Sequence, residues 1–125
     1  MNVSSDGRPP LILIVEDEFL LAMELEAVVR ASGWDVLGPA DSISEAMRLL
    51  DSDTPNAALL DYNLGGQPVT PVAERLRSMA VPFVVISAYD ASNISQIDAL
   101  SNAPILQKPA RSGLVTKTVT GLIQL

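Results

Sequence analysis

Three short runs of uninterrupted apolar residues constrain the fold of this chain more than any other feature. Leu11–Val15, Ala57–Leu60 and Phe83–Ile86 are apolar at every position. A strand with one wet face alternates apolar and polar residues, whereas a strand buried on both faces does not. Segments with helical spacing of apolar residues, such as Glu18–Ser32, separate the runs. The pattern therefore predicts an α/β fold with a parallel sheet between two layers of helices.

The complete pattern predicts five strands, each followed by a helix. The strands are expected at Leu11–Val15, Trp34–Gly38, Asn56–Leu60, Phe83–Ile86 and Pro104–Leu106. The helices are expected at Glu18–Ser32, behind Ser42, behind Thr70-Pro71, at Ser92–Leu100 and at Arg111–Leu125. Ser42 and Glu45 form a capping box, and Thr70 is expected to cap a helix whose first residue is Pro71.

The composition excludes several classes of site and protein. The 125 residues fit one domain, and the chain has no Cys and no His. Disulfides, thiolate zinc sites, cysteine nucleophiles and a Ser-His-Asp triad are therefore excluded. Met1–Pro10 is polar, without the apolar stretch of a secretory signal, and is expected to be a flexible leader before a domain over residues 11–125. No apolar run approaches the ~20 residues of a membrane span, so a cytoplasmic location is expected.

Charge is distributed unevenly along the chain. The formal net charge is −7, yet residues 99–125 contain three bases and no acid. The excess of acids argues against direct binding to nucleic acids. It suits a cation-binding site or a basic partner.

Polar residues follow four of the five predicted strands. Glu16-Asp17-Glu18 follows the first strand, Asp61 the third, Ser87 the fourth and Lys108-Pro109 the fifth, while nothing reactive follows the second. In an open parallel sheet, ligands bind beyond the carboxyl ends of the strands, at the point where the strand order reverses. With the order 2-1-3-4-5, strands one and three are neighbours, so the acids are expected to converge there.

Such a cluster has a definite chemistry. Two carboxylates about 4 Å apart repel by ~4 kcal/mol at an effective dielectric constant of about 20, so the cluster needs protons or a cation. Oxygen ligands without His or Cys favour a hard ion, above all Mg²⁺. One aspartate is then available as a nucleophile toward phosphorus, and Lys108 and Ser87 supply a positive charge and a hydroxyl.

Four segments together resemble the receiver domain of bacterial two-component response regulators. They are ILIVEDE at 12–18, ALLDYNL at 58–64, VVISAY at 84–89 and LQKP at 106–109. Their order and spacing match, the resemblance extends from residue 11 to about 125, and single-domain receivers are the most similar type. The resemblance implies a flavodoxin-like, doubly wound (βα)₅ fold.

The resemblance also implies a role for each strand-end residue. Asp61 matches the phosphoacceptor, Ser87 the switch hydroxyl and Lys108 the phosphate-pairing lysine. Glu16 and Asp17 match the acidic pair that holds Mg²⁺ together with Asp61 and the backbone carbonyl of Asn63. Pro109 matches a proline whose preceding peptide bond is often cis.

The partners that the resemblance implies are proteins. A histidine kinase or phosphotransfer protein is the expected donor, and a downstream protein is the expected target, with no direct contact to DNA or membrane. No enzyme activity is expected beyond phosphoryl transfer to Asp61 and its reversal by hydrolysis. A homodimer through the fourth helix, fifth strand and fifth helix is a further expectation.

Departures from the family pattern leave other functions open. Glu16 stands where Asp is commoner, and Ala110 stands where an aromatic residue is common. Ile105 stands where the switch aromatic usually lies, and Tyr89 is a candidate substitute for that switch aromatic. A pseudo-receiver that binds partners without phosphorylation is therefore an alternative. A small phosphatase is another, although Asn63 occupies the second position of the Asp-x-Asp pattern that such an enzyme needs.

Overall fold

The central sheet has the predicted parallel topology. The computed structural model describes residues 7–88, 94 and 97–123. The strands are β1 Leu11–Val15, β2 Asp35–Ala40, β3 Ala57–Asp61, β4 Asn63–Leu64, β5 Gln67–Pro68, β6 Phe83–Ser87 and β7 Ile105–Gln107. The helices are α1 Phe19–Ala31, α2 Ile43–Ser52, α3 Thr70–Ser78 and α4 Ser112–Ile123, with a 3₁₀ turn at Asp98–Leu100.

Five of these strands form one parallel sheet in the order β2-β1-β3-β6-β7. Strands β4 and β5 form a separate antiparallel hairpin. When the hairpin is left out of the count, the order is 2-1-3-4-5, so the predicted fold class is confirmed. The reversal of strand order lies between β1 and β3, where ligands bind in folds of this kind.

Two apolar layers enclose the sheet, as its uninterrupted apolar strands predict. On one face, Leu13 and Leu60 pack in a cluster with buried side chains of α2 and α3. On the other face, Ile12 and Leu59 pack with buried side chains of α1 and α4. Successive strand residues therefore enter opposite cores, which explains why the strands tolerate no polar residue before their carboxyl ends. Trp34 is buried in the second core.

Several element boundaries differ from the predicted ones. Thr70 is the first residue of α3 instead of its cap, and Val69 precedes the helix without a side-chain hydrogen bond. Ser42 caps α2 by accepting from the Glu45 backbone N–H at 3.1 Å, but the Glu45 carboxylate pairs with Arg48 instead of completing the capping box.

Two further predictions fall partly on residues outside the described ranges. Four of the nine residues of the helix expected at Ser92–Leu100 lie there, and its last residues form the 3₁₀ turn at Asp98–Leu100 instead of an α-helix. The first part of the leader expected at Met1–Pro10 also lies there. Pro10 itself is buried, and its carbonyl accepts a hydrogen bond from the Asp35 N–H at 2.9 Å.

The longer course of β2 depends on Gly38. This residue has φ +98°, and a Cβ there would lie 2.7 Å from the Ala40 nitrogen and 3.0 Å from the Ile14 carbonyl oxygen. Both neighbours are backbone atoms, so neither can move without disturbing the β1–β2 pairing. Glycine is therefore required where the chain passes the bulge in this pairing.

Gly38→Ala is expected to lower the free energy of unfolding by about 2 kcal/mol or more, because the side chain meets backbone at an unfavourable φ. Urea denaturation measures the change. Gly121→Ala is the matched control, since it lies in α4 with nothing within 4 Å of the added Cβ. It should raise stability by about 0.5–1 kcal/mol. Equal stabilities of the two variants would contradict this account.

Candidate functional site

Three carboxyl groups converge at the carboxyl ends of β1 and β3. Oxygen atoms of Glu16, Asp17 and Asp61 all lie within 4.8 Å of one another. Glu16 and Asp17 directly follow β1, and Asp61 is the last residue of β3, so the neighbouring strands fix the cluster. The convergence expected from the strand order is thus present.

Lys108 brings one positive charge to this cluster. Its Nζ lies 3.2 Å from Glu16 Oε1 and 3.2 Å from Asp61 Oδ1. Lys108 follows β7, which β6 separates from β3, so the lysine reaches across the end of β6. Its backbone N–H donates to the Ser87 carbonyl at 2.7 Å and anchors the start of this reach.

Burial makes these charges interact strongly. Glu16 and Asp61 are only 2% and 6% exposed, whereas Asp17 is exposed. Burial raises the pKa of Glu16 to about 7, with a further increase from the Asp61 carboxyl and an opposing effect of Lys108. Partial burial acts to lower the pKa of Lys108, but the two carboxylates outweigh it and raise that pKa above its usual value. The Lys108 ammonium therefore stays charged at neutral pH, and its single positive charge faces a cluster of three carboxyl groups.

The β4–β5 hairpin orients the acidic residues from one side. The Gly65 N–H donates to Asp17 Oδ2 at 2.9 Å, and the Gly66 N–H donates to Asn63 Oδ1 at 2.8 Å. The Asn63 N–H lies 3.4 Å from Asp61 Oδ1. These bonds fix Asp17 and hold the Asn63 side chain against the turn. This hairpin was not predicted from the sequence.

Ser87 and the Lys108-Pro109 peptide bond lie at the same end of the sheet. Ser87 ends β6 and is 1% exposed. The Lys108-Pro109 peptide bond is cis, as the resemblance implied. Ile105 is half-buried in β7, paired with Val85 of β6. Tyr89, the suggested substitute for the switch aromatic, lies outside the described residues.

One acidic residue near the site was missed. β2 continues to Ala40 instead of ending at Gly38, so Asp41 follows it directly. Asp41 lines a cavity of about 300 Å³ together with Glu16 and Asp17. The expectation that nothing reactive follows the second strand is therefore wrong, because the predicted strand ends at Gly38, two residues too early.

An apolar surface adjoins this cavity. Phe19, Leu20 and Met23 in the first turns of α1 are 74%, 67% and 51% exposed. Phe19 and Met23 line the cavity that also contains Asp17. Large apolar side chains grouped on a surface mark interaction sites, so this group is a candidate contact for a protein partner.

The donor atoms of the cluster suit a magnesium ion. The described residues offer carboxylate oxygens from Glu16, Asp17 and Asp61, within the distances that one cation can bridge. Hard cations prefer such oxygen ligands, and Mg²⁺ commonly uses one or two carboxylates with water completing its shell. A divalent cation would also relieve the carboxylate repulsion that the single ammonium leaves.

Comparisons with known proteins agree with this geometry. The profile of the family described as "Response regulator receiver domain" matches residues 12–120. The phyllosphere-induced regulator PhyR of Methylorubrum extorquens is 40% identical over 81 residues, which cover 62% of this chain and 30% of that protein. The transcriptional regulatory protein PdtaR of Mycobacterium tuberculosis is 28% identical over 87 residues, covering 69% of this chain and 42% of that protein.

Solved receiver structures superimpose closely. The PhyR receiver domain of Erythrobacter litoralis has a TM-score of 0.82 at 27% identity, covering 92% of this chain and 90% of that one. SdrG from Sphingomonas melonis Fr1 has a TM-score of 0.76 at 36% identity, covering 92% of this chain and 97% of that one. The chain spans less than half the length of the curated relatives PhyR and PdtaR. Among the described residues, no helix has the length and apolar character to cross a membrane.

Proposed function

Because this chain belongs to the response regulator receiver domain family, we propose that it accepts a phosphoryl group on Asp61 in a Mg²⁺-dependent reaction. The observation that carries the proposal is the position of Asp61. Lys108 Nζ lies 3.2 Å from Asp61 Oδ1 and 3.2 Å from Glu16 Oε1, and carboxylate oxygens of Asp61 and Asp17 lie within 4.8 Å of each other. A carboxylate held between a cation and a potential metal site is equipped to attack phosphorus.

Each side chain has a defined task in this reaction. An Asp61 oxygen forms a bond to phosphorus while the bond from phosphorus to the donor breaks, and the donor leaves with that electron pair. Lys108 turns its ammonium to the incoming phosphoryl oxygens, and Ser87 offers them a hydroxyl. Glu16, Asp17, Asp61 and the Asn63 carbonyl would hold Mg²⁺, which supplies charge neutralisation to the phosphoryl oxygens when it is bound.

Incubation with acetyl phosphate, followed by intact-mass measurement, tests the proposal. A gain of one phosphoryl group in the presence of Mg²⁺, and none with EDTA, is expected. The same measurement tests the pseudo-receiver alternative, which Ile105 in place of the switch aromatic motivates and which requires an unchanged mass under both conditions. Turnover of a generic phosphate ester would favour the phosphatase alternative instead.

Mg²⁺ is expected to stabilise the fold, and Asp17→Asn is expected to remove most of this effect. At a free ion concentration about a hundredfold above Kd, binding to the native state adds about 2.7 kcal/mol to the free energy of unfolding. Thermal denaturation with and without Mg²⁺ measures it. Asp35→Asn, an exposed site at the opposite end of the sheet, should retain the full stabilisation. A normal Mg²⁺ response in Asp17→Asn would exclude that residue as a ligand.

The phosphoryl donor in the cell is expected to be a histidine kinase or phosphotransfer protein that docks on the apolar surface of α1. Phe19 and Met23 lie beside Asp17, so a protein covering them brings its phosphohistidine close to Asp61. The acidic surroundings suit basic side chains at the edge of such a partner.

Phe19→Ser with Met23→Ser is expected to slow transfer from a kinase that labels the wild type by about tenfold or more, since exposed aromatic anchors contribute most to docking. Labelling by acetyl phosphate should be unchanged, because that donor needs no protein surface. Leu114→Ser, at a 48% exposed residue of α4, is the control and should affect neither rate. Equal slowing with both donors would place the defect in the site instead of the surface.

Other expectations stay predictions. They comprise the cytoplasmic location, the downstream protein target, the absence of DNA binding, the homodimer and the division into a leader at 1–10 and a domain at 11–125. Receiver domains are generally signalling modules without enzymatic turnover of their own.

A further inference from the structure

A second cavity lies between α1 and α4, beside the acidic cluster. Its volume is about 350 Å³. Most of its wall is apolar, from the side chains of Leu21, Leu25, Val28, Ile86 and Val115. The volume falls at the lower end of the range for pockets that hold small organic molecules.

Three small side chains line this cavity, those of Ala27, Ala110 and Ser112. Ala27 and Ser112 are themselves exposed, so the cavity opens to the surface. The two helices nevertheless lie close together, since the hydroxyl groups of Ser32 and Thr116 are 3.3 Å apart. The cavity is therefore a surface pocket between two helices that contact each other.

The charged side chains in the lining of this cavity favour one kind of ligand. Glu16 and Lys108 line the cavity and already pair with each other at 3.2 Å. Glu24 is exposed, and no ion pair involves it among the residues that the structure describes. The charge left for a ligand is thus the Glu24 carboxylate, in the lining of a mostly apolar pocket.

We propose that this cavity binds a small organic ammonium compound. An apolar ring or short chain lies against Leu25 and Val28, and the ammonium group faces Glu24. The site requires no phosphorylation, so it goes beyond the function proposed above. Because Lys108 and Glu16 form part of its wall, an occupant also contacts the residues that hold Asp61.

Titration of the full chain with benzylamine tests the proposal, with benzyl alcohol and benzoate as probes of equal size and different charge. Calorimetry is expected to show saturable binding of benzylamine at one site, about three- to tenfold tighter than benzyl alcohol, with benzoate weakest. Glu24→Gln should bring benzylamine to the affinity of benzyl alcohol. Glu74→Gln, which removes the same charge at an exposed position of α3, should preserve the difference.

Ala110→Phe places a ring in the cavity and is expected to abolish binding of all three probes while the circular dichroism spectrum is retained. If that variant does not fold, the comparison of Glu24→Gln with Glu74→Gln decides alone. Absence of saturable benzylamine binding, equal affinities for the three probes, or binding retained in folded Ala110→Phe would overturn the proposal. Asp61→Asn should bind benzylamine normally, so this proposal and the phosphorylation proposal fail separately.

Discussion

Asp61→Asn is expected to abolish the Mg²⁺-dependent gain of a phosphoryl group, lowering the rate of labelling by at least about a thousandfold. The asparagine amide has nearly the size of the carboxylate but no anionic oxygen to attack phosphorus. Its carbonyl oxygen can still accept from the Asn63 N–H, so the loop after β3 keeps its anchor. The variant therefore removes the nucleophile with little change to the surrounding structure.

Labelling by acetyl phosphate, followed by intact mass, measures this loss. Asp53→Asn is the control, because Asp53 is an exposed acid that follows α2 and the same charge is removed there. It should be labelled at the wild-type rate. If Asp61→Asn still gains a phosphoryl group, another residue is the acceptor and the proposed function is wrong as stated.

Lys108→Met is expected to slow labelling by about a hundredfold to a thousandfold, the usual cost of removing one donor aimed at a developing negative charge. The methionine chain fills similar space but brings no charge to Asp61 or to the incoming phosphoryl group. Loss of the ammonium also leaves Glu16 and Asp61 facing each other without the cation that lies 3.2 Å from both. The pKa of Glu16 should rise further, because Lys108 acts to lower it.

The rate of labelling at saturating Mg²⁺ measures the effect of Lys108. Lys117→Met, at an exposed position of α4, removes the same charge away from the cluster and should leave the rate unchanged. Lys108→Arg keeps a positive charge and should recover part of the rate. A wild-type rate in Lys108→Met would mean that Mg²⁺ alone provides the positive charge for the reaction.

The central strands could be predicted from the sequence to within one residue, because burial on both faces leaves a run with no polar interruption. The end of β2 could not be predicted, because Gly38-Pro39 is typical of a strand end. The structure shows instead that Gly38, at φ +98°, allows the strand to pass a bulge and continue to Ala40. Threonine commonly caps helices, but Thr70 is itself the first residue of α3, so the helix begins one residue earlier than predicted. The hairpin at 63–68 was missed because strands of two residues have no periodicity.

The candidate site was more predictable than its surroundings. Glu16, Asp61 and Lys108 follow from the rule that ligands gather at the carboxyl ends of parallel strands, once the strand order is assumed. Asp41 was missed together with the end of β2. The exposure of Phe19 and Met23 could not be predicted, since whether the start of a helix is covered depends on what packs against it.

The reach of Lys108 across the sheet has a consequence for the direction of signalling. β1, which precedes Glu16, has a hydrogen-bonded neighbour on each side. The three-residue β7, which precedes Lys108, lies at the edge of the sheet and, among the described strands, pairs with β6 alone. When the charge on Asp61 changes, displacing the lysine costs fewer backbone hydrogen bonds than displacing the acids. Any rearrangement should therefore displace β7 at the edge of the sheet, while the central strands keep their positions.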